Sequence, residues 1–138
     1  IVAVDGSPAS ESVLPLAAAL GIELRSEPWI VEVASPDLDM GADINQSAYP
    51  ARLARGLAKE SGHPVQFEVL HGHDVHDEIS EFADSQQASL IIASTHARTG
   101  MSRFVVGSTA SAIVRHARCP VLLMRPPHLA DVDAHKEQ

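Results

Sequence analysis

The sequence predicts a three-layer α/β protein, in which helices cover both faces of a doubly wound sheet of five mainly parallel strands. Short apolar runs alternate along the chain with segments whose apolar residues recur every three or four positions. This alternation is typical of strands joined by helical crossovers. The runs are apolar at nearly every position, as strands buried on both faces of a parallel sheet are. We expect the strand order 3-2-1-4-5, a common order in doubly wound sheets.

Each element follows from its own local signals. Apolar runs predict strands at residues 1–4, 29–33, 65–70, 90–93 and 121–124. Apolar residues at three- and four-residue steps predict four helices. The first follows a cap at Ser7 or Ser10 and carries Val13, Leu16, Ala17 and Leu20, and the second covers residues 48–61. The third carries Val75, Ile79, Phe82 and Ala83, and the fourth starts near Ser108 and carries Ala110, Ile113, Val114 and Ala117. The polar residues 35–47, which include Pro and Gly, predict a loop.

Residues 1–126 are expected to form one domain, and residues 127–138 a flexible tail. Trp29 and the three phenylalanines are expected in the core. Because the chain opens with Ile1 inside a predicted strand, we also expect that a few residues or a whole segment precede it.

The composition argues against several classes of protein. The formal net charge of the 138 residues is −8, which disfavours general nucleic-acid binding. No apolar run approaches the roughly 20 residues of a membrane-spanning helix, and the first residues are typical of a strand, not of a secretory signal. The single cysteine, Cys119, fits a reducing compartment. We therefore expect a cytoplasmic protein in which Cys119 is a small buried apolar residue.

Charge is distributed unevenly along the chain. Residues 94–125 hold five arginines and no acid, whereas residues 1–93 hold fifteen acids and four basic residues. A basic segment on an acidic body is what a site for a small anion would produce. A solvated basic face or an interface with a partner protein would produce it equally well.

The residues between the fourth strand and the last helix have the pattern of a phosphate site. Phosphate binding uses bare backbone N–H groups at a helix N-terminus. Gly107 allows close approach, Ser108 offers a hydroxyl and an N–H, and the helix dipole favours an anion there. An ordinary helix cap would explain the same two residues. The signatures GxxxxGK[ST], GxGxxG and GxSxG are absent from the sequence.

A family resemblance rests on two stretches, DGS after the first strand (residues 5–7) and THARTGMSRFVVGSTASAIVRHARCPVLLMRP (residues 95–126). Together they resemble the universal stress protein family, and the order of elements agrees over the whole chain. Nucleotide-binding members carry Gly-x2-Gly-x9-Gly-(Ser/Thr), a spacing that falls here on Ser94, Ala97, Gly107 and Ser108. The final Gly-Ser is kept, whereas Ser94 and Ala97 replace the two leading glycines. The resemblance implies an adenine-nucleotide alpha-hydrolase-like fold that binds ATP, with or without Mg²⁺.

The resemblance also implies roles around the nucleoside. Asp5 would contact a polar atom of the ribose or adenine, and Val33 would line the adenine pocket. Ser94 and Ala97 would approach the ribose and phosphates through their backbones, where neither residue reaches positive φ as easily as glycine.

At the phosphates, Gly107 and Ser108 would hold the anion and Arg98 and Arg103 would neutralise its charge. The last strand, residues 121–124, resembles the family's homodimer edge, and an unpaired apolar edge strand needs covering. The implied function is a homodimeric sensor or regulator in the stress response. No positioned general base is evident, so we expect binding with at most weak ATP hydrolysis.

Two alternatives remain open at this point. One is a dimeric interaction module of the same fold that binds no nucleotide, because the two leading glycines are lost. The other is a slow ATP hydrolase or adenylyl-transfer enzyme on the same kind of sheet.

A histidine-rich turn follows the third strand, with His71, His73, Asp74 and His76. This spacing is not that of a closed zinc site, and no cysteine joins it. We expect a turn leading into a helix and no metal site.

Overall fold

Strands and helices alternate along the chain. The structure, a computed structural model, describes residues 1–34, 40–95 and 106–127, and of residues 40–46 it describes the backbone alone. The strands in these parts are β1 (Val2–Val4), β2 (Trp29–Ala34), β3 (Gln66–His71), β4 (Ile91–Ser94) and β5 (Val121–Met124). The helices are α1 (Pro8–Glu11), α2 (Leu14–Glu23), α3 (Met40–Ser61), α4 (Val75–Ser85) and α5 (Ser108–His116). The predicted tail lies outside the described residues except for Pro127.

The strands form a parallel sheet in the order β3-β2-β1-β4-β5, which confirms the predicted order. The central strand β1 pairs with β2 on one side and with β4 on the other, and Val2 lies level with Ile30 and Ile92. Strand order therefore reverses between β1 and β4. Doubly wound sheets bind ligands beyond the carboxyl ends of the strands at this reversal.

Helices cover both faces of the sheet and make three layers. On one face Val2, Ile30 and Ile92 pack in the core that α2 and α3 cover. On the opposite face Ile91 packs against α4 and α5. Ile91 is 0% exposed and Ile92 is 4% exposed, so these neighbouring residues belong to two separate cores. Strand geometry requires this, because successive side chains point to opposite faces.

The first predicted helix is divided into two. Ser7 caps α1, and its hydroxyl oxygen accepts a hydrogen bond from the Ser10 N–H at 3.1 Å. A separate helix, α2, begins at Leu14. Pro15 explains the break, because it has no N–H to donate to the Glu11 carbonyl and so cannot continue the ladder of α1.

Helix α3 begins earlier than predicted. It starts at Met40, so the prediction of a loop over residues 35–47 is wrong from residue 40 onward, and residues 35–39 lie outside the described part. Pro50 lies inside this helix and is buried. Glycine, proline and polar residues are weak evidence against a helix, because tertiary packing overrides local propensity.

One prediction of a core residue is wrong. Phe67, on the edge strand β3, is 42% exposed. Trp29 is half-buried and packs edge-to-face on Phe82, with ring centroids 5.3 Å apart. An edge strand has a partner on one side alone, so β3 is less covered than an apolar run suggests. Phe104 lies outside the described residues.

Candidate functional site

The carboxyl ends of β1 and β4 bring two predicted ligand segments to the same edge of the sheet. Val2 pairs with Ile92, and continuing this parallel register sets Val4 beside Ser94 and Asp5 beside Thr95. The Thr95 N–H donates to the Met124 carbonyl at 3.0 Å, which ties the end of β4 to the end of β5. Asp5 and Ser94 thus lie at the reversal point where a ligand is expected.

Helix α5 opens beside this edge. Gly107 is its N-cap residue, with φ −55° and ψ 154°, and no side chain caps the helix. The Gly107 N–H donates to the Thr95 carbonyl at 2.8 Å, so the first residues after β4 and the start of α5 are held together. A Cβ at Gly107 would lie 3.1 Å from that carbonyl oxygen, which makes this a position of close backbone approach.

The first turn of α5 offers donors to an anion. Its first intrahelical bond runs from the Ser111 N–H to the Gly107 carbonyl at 2.9 Å. The N–H groups of Ser108, Thr109 and Ala110 precede that bond and have no intrahelical acceptor. Ser108 and Thr109 are exposed. The helix dipole adds a partial positive charge at this end.

The turn after β1 is organised by its own side chains. One carboxylate oxygen of Asp5 accepts hydrogen bonds from the Ser7 N–H at 2.9 Å and from the Ser7 hydroxyl. The Asp5 N–H donates to the Ser10 hydroxyl at 3.1 Å, and that hydroxyl donates to the Ser7 carbonyl. Ser10 is 5% exposed, so the network is anchored inside the protein. Gly6 has φ +87°, a conformation that favours glycine.

Val33 lies on the sheet face that α4 and α5 cover. It is half-buried and packs in the same cluster as Ala3 and Ile113. The N-terminus of α5 and the Val33 side chain therefore share one face of the sheet.

The structure brings together Asp5, Ser94, Gly107 and Ser108 at one edge, with Val33 on the adjoining face. Ala97, Arg98 and Arg103, the other three predicted ligand residues, lie in residues 96–105, outside the described part. The roles of all eight residues remain predictions.

A tyrosine beside this edge was not among the predicted residues. The Tyr49 hydroxyl donates to a carboxylate oxygen of Glu11 at 2.6 Å. Burial raises the pKa of Tyr49 well above its usual value, and the hydrogen bond to Glu11 and the negative charges of Glu11 and Glu32 raise it further. The Gly6 backbone amide acts in the opposite direction. The two partners are 38 residues apart, so no local pattern indicates their contact.

The histidines after β3 do not form a recognisable metal centre. His76 lies 3.4 Å from Asp77, and its ring centroid lies 5.0 Å from that of His116. In the described part of the chain, no group of three or more His, Cys, Asp or Glu side chains is arranged to hold a metal ion.

A cavity of about 380 Å³ lies at the opposite, amino-terminal edge of the sheet. Leu20, Leu24 and Trp29 supply apolar lining, and Glu27 and Gln87 lie among its polar residues. It contains none of the predicted ligand residues. The described ligand residues of the prediction lie instead toward the carboxyl ends of the strands and at the start of α5. Across the described residues, no helix has the length and apolarity that crossing a membrane would need.

Curated proteins of several organisms align with this chain. A universal stress protein of Methanocaldococcus jannaschii is 36% identical over 76 residues, which is 55% of this chain and 44% of that protein. A universal stress protein of Mycobacterium tuberculosis is 30% identical over an alignment of 135 residues that covers 91% of this chain and 44% of that protein. The chain therefore spans less than half the length of these relatives.

Solved structures share the fold. UspA of Lactobacillus plantarum superposes with a TM-score of 0.72 at 21% identity, over 90% of this chain and 94% of that chain. A universal stress protein of Archaeoglobus fulgidus in complex with dAMP gives 0.68 at 22% identity, over 88% and 92%. A universal stress protein in complex with cAMP gives 0.68 at 18% identity, over 91% and 94%.

A family model fits nearly the entire chain. The model of the universal stress protein family matches residues 1–125, which comprise every strand and helix described above. This chain belongs to the universal stress protein family.

Proposed function

We propose that this chain binds an adenine nucleotide beyond the carboxyl ends of β1 and β4. ATP is the first candidate. The observation that carries the proposal is the start of α5. A nine-residue helix without a side-chain cap opens on Gly107, whose N–H is bonded to Thr95 at the end of β4. Donors in the first turn of such a helix suit a phosphate group.

The remaining roles follow the predicted residues. Asp5 meets the ribose or adenine, Val33 lines the adenine pocket, and Ser94 and Ala97 approach the ribose and phosphates by backbone. Gly107 and Ser108 hold the phosphates, with Ser108 as a hydroxyl donor.

Arg98 and Arg103 then neutralise the phosphate charge. Both arginines belong to a basic segment of an otherwise acidic protein, and this charge favours an anionic ligand. Two relatives of the same fold crystallised with dAMP and with cAMP support the choice of an adenine nucleotide.

Binding, not turnover, is the proposed role. The protein acts as a cytoplasmic sensor or regulator in the stress response, and it works as a homodimer through β5. Two of the described carboxylates near the site are engaged in structural contacts, Asp5 with Ser7 and Glu11 with Tyr49. Release of phosphate at more than about 1 per second, the low end of ordinary enzymes, would refute this non-enzymatic role.

The first experiment is made on the purified protein. We would denature it, separate the supernatant by ion exchange to identify any nucleotide it carried, and titrate the stripped protein with ATP, GTP and pyrophosphate by calorimetry. Near-stoichiometric ATP, or micromolar affinity for ATP with weaker binding of GTP, supports an adenine site. Absence of both nucleotide and heat at millimolar ATP would contradict the proposal.

One observation favours a second candidate function. Ser94 and Ala97 replace the two leading glycines of the nucleotide-binding motif, and neither residue reaches positive φ as easily as glycine. The alternative is an interaction module of the same fold that binds no nucleotide. This alternative predicts no calorimetric signal with ATP, although the protein would still be a homodimer.

A further inference from the structure

Helix α1 is a single turn that needs support from outside itself. It has four residues, too few for its own hydrogen bonds to stabilise it. It also carries the Asp5–Ser7 turn, because the Glu11 N–H donates to the Ser7 carbonyl at 3.1 Å. Whatever holds Glu11 therefore holds the turn at the carboxyl end of β1.

Tyr49 supplies that support from a different element. Its hydroxyl reaches Glu11 across 38 residues of sequence, at 2.6 Å. Tyr49 is half-buried and packs against the core that includes Ala54 and Leu57, which are 3% and 4% exposed. The Arg52 guanidinium lies over the Tyr49 ring, 5.7 Å from its centroid, and favours one ring position.

The hydrogen bonds continue from Glu11 to the predicted site. Ser10, the neighbour of Glu11, connects the Asp5 N–H with the Ser7 carbonyl through its buried hydroxyl. Ser7 in turn donates to the Asp5 carboxylate. A chain of contacts thus runs from the firmly packed helix α3 to the residue that faces the ribose or adenine in the proposed function.

We propose that Tyr49 is a positioning residue for the ligand site: its hydroxyl, bonded to Glu11, fixes α1 and the Asp5–Ser7 turn in the form that receives the nucleotide. This inference rests on the proposed function. Tyr49 itself does not touch the ligand, and it acts through Glu11 and the turn.

The test compares Tyr49→Phe, Glu11→Ala and their double variant by calorimetry with ATP. Each single change should weaken ATP affinity by about tenfold, the effect of losing a hydrogen bond to a charged group. The double variant should be no weaker than Tyr49→Phe alone, because Tyr49→Phe has already removed the contact that the change at Glu11 removes. Glu11→Gln should retain most of the ATP affinity, since the side-chain amide oxygen can still accept a hydrogen bond from the Tyr49 hydroxyl.

Two controls separate positioning from general stability. Leu53→Ala, on the same helix, should lower resistance to urea and leave ATP affinity unchanged. Amide hydrogen exchange in a peptide covering residues 5–12 should become faster in Tyr49→Phe, while a peptide covering residues 90–95 should not change. Exchange reports how firmly the turn is held without any ligand.

The outcomes distinguish the two proposals. If the wild-type protein binds no ATP, the proposed function is refuted. In that case, amide hydrogen exchange over residues 5–12 is the measurement that shows whether Tyr49 holds the turn. If wild-type protein binds ATP, unchanged affinity in Tyr49→Phe overturns the positioning role whatever the exchange shows. Weaker affinity together with faster exchange supports it.

Discussion

Two glycines near the candidate site serve different physical purposes at the scale of single residues. Gly6 has φ +87°, where a side chain is strained, and no atom would lie within 4 Å of its Cβ. Gly107 has φ −55°, which any residue adopts, yet its Cβ would lie 3.1 Å from the Thr95 carbonyl oxygen. Gly6 therefore permits a turn, whereas Gly107 permits close approach. Substitutions at the two positions should fail for different reasons.

Gly107→Val should abolish nucleotide binding without unfolding the protein. A branched side chain would press on the Thr95 carbonyl and occupy the space in front of the first turn of α5, where the phosphates are proposed to bind. We expect the Kd for ATP to rise above about 1 mM, a binding free energy weaker than about −4.1 kcal/mol. Calorimetry measures the affinity, and circular dichroism checks the fold. ATP affinity at the wild-type level in a folded Gly107→Val protein would remove this helix start from the site.

The single tyrosine allows its ionisation to be followed directly by absorbance near 295 nm. Because burial and Glu11 raise the pKa of Tyr49, folded protein at about pH 10.5 should contain little tyrosinate, whereas urea-unfolded protein should titrate near pH 10. Because the pKa of Tyr49 is raised in the folded state, protonated Tyr49 contributes to the free energy of unfolding. That contribution is complete below about pH 10 and is lost as the pH rises through the pKa of the folded state.

A matched variant tests the cause of the tyrosine shift. Glu11→Gln removes one negative charge and should bring the titration of Tyr49 to lower pH. Titration of the folded wild-type protein at the same pH as the unfolded chain would mean that the contact with Glu11 does not persist in solution.

At the scale of elements, local sequence signals predicted only part of helix α3. Residues 48–61 were predicted as a helix from their periodicity, and they lie within α3. The turns before them were predicted as a loop, because proline and glycine weigh against a helix in any local argument. The packing that overrides such signals cannot be read from a short stretch of sequence.

Gly56→Ala should stabilise the protein by about 1 kcal/mol, the difference in helix propensity between the two residues. Gly56 is exposed in the interior of α3, and a Cβ there would meet no atom within 4 Å. Urea denaturation measures the free energy of unfolding. The paired control is Gly62→Ala, which should destabilise, because Gly62 follows the helix with φ +71°. If Gly56→Ala fails to stabilise while Gly62→Ala destabilises, the interior of α3 is not regular in solution.

Elements differed in how far the sequence could predict them. The start of α5 was predicted, because Gly107-Ser108 before a periodic apolar segment is a strictly local signal. The bond between Tyr49 and Glu11 was not, because it depends on how α1 and α3 pack over the sheet. The division of the first helix has a local cause in Pro15, although the apolar periodicity on both sides of it concealed the break. Residues 96–105, which hold three of the predicted ligand residues, lie outside the described residues.

The strand order organises the molecule as a whole. It places β1 and β4 side by side at the centre, so the predicted ligand residues at the ends of these two strands converge there. It also leaves β3 and β5 at the two edges of the sheet. The four residues of β5 are all half-buried, whereas β3 is largely exposed, so the two edges are not equivalent.

The protein should sediment as a homodimer that pairs through β5. Among the described strands β5 pairs with β4 alone, and antiparallel pairing with a second copy would engage the backbone groups along its other side. Leu123→Lys places a charge on this strand and should shift the sedimenting species to the monomer. Phe67→Lys places the same charge on the other edge, where the native side chain is already 42% exposed, and should leave the dimer intact. A monomer in the wild type, or a dimer that Phe67→Lys disrupts and Leu123→Lys does not, would contradict pairing through β5. Because the two variants carry the same charge on opposite edges, a difference between them cannot arise from net charge and must come from the strand that pairs.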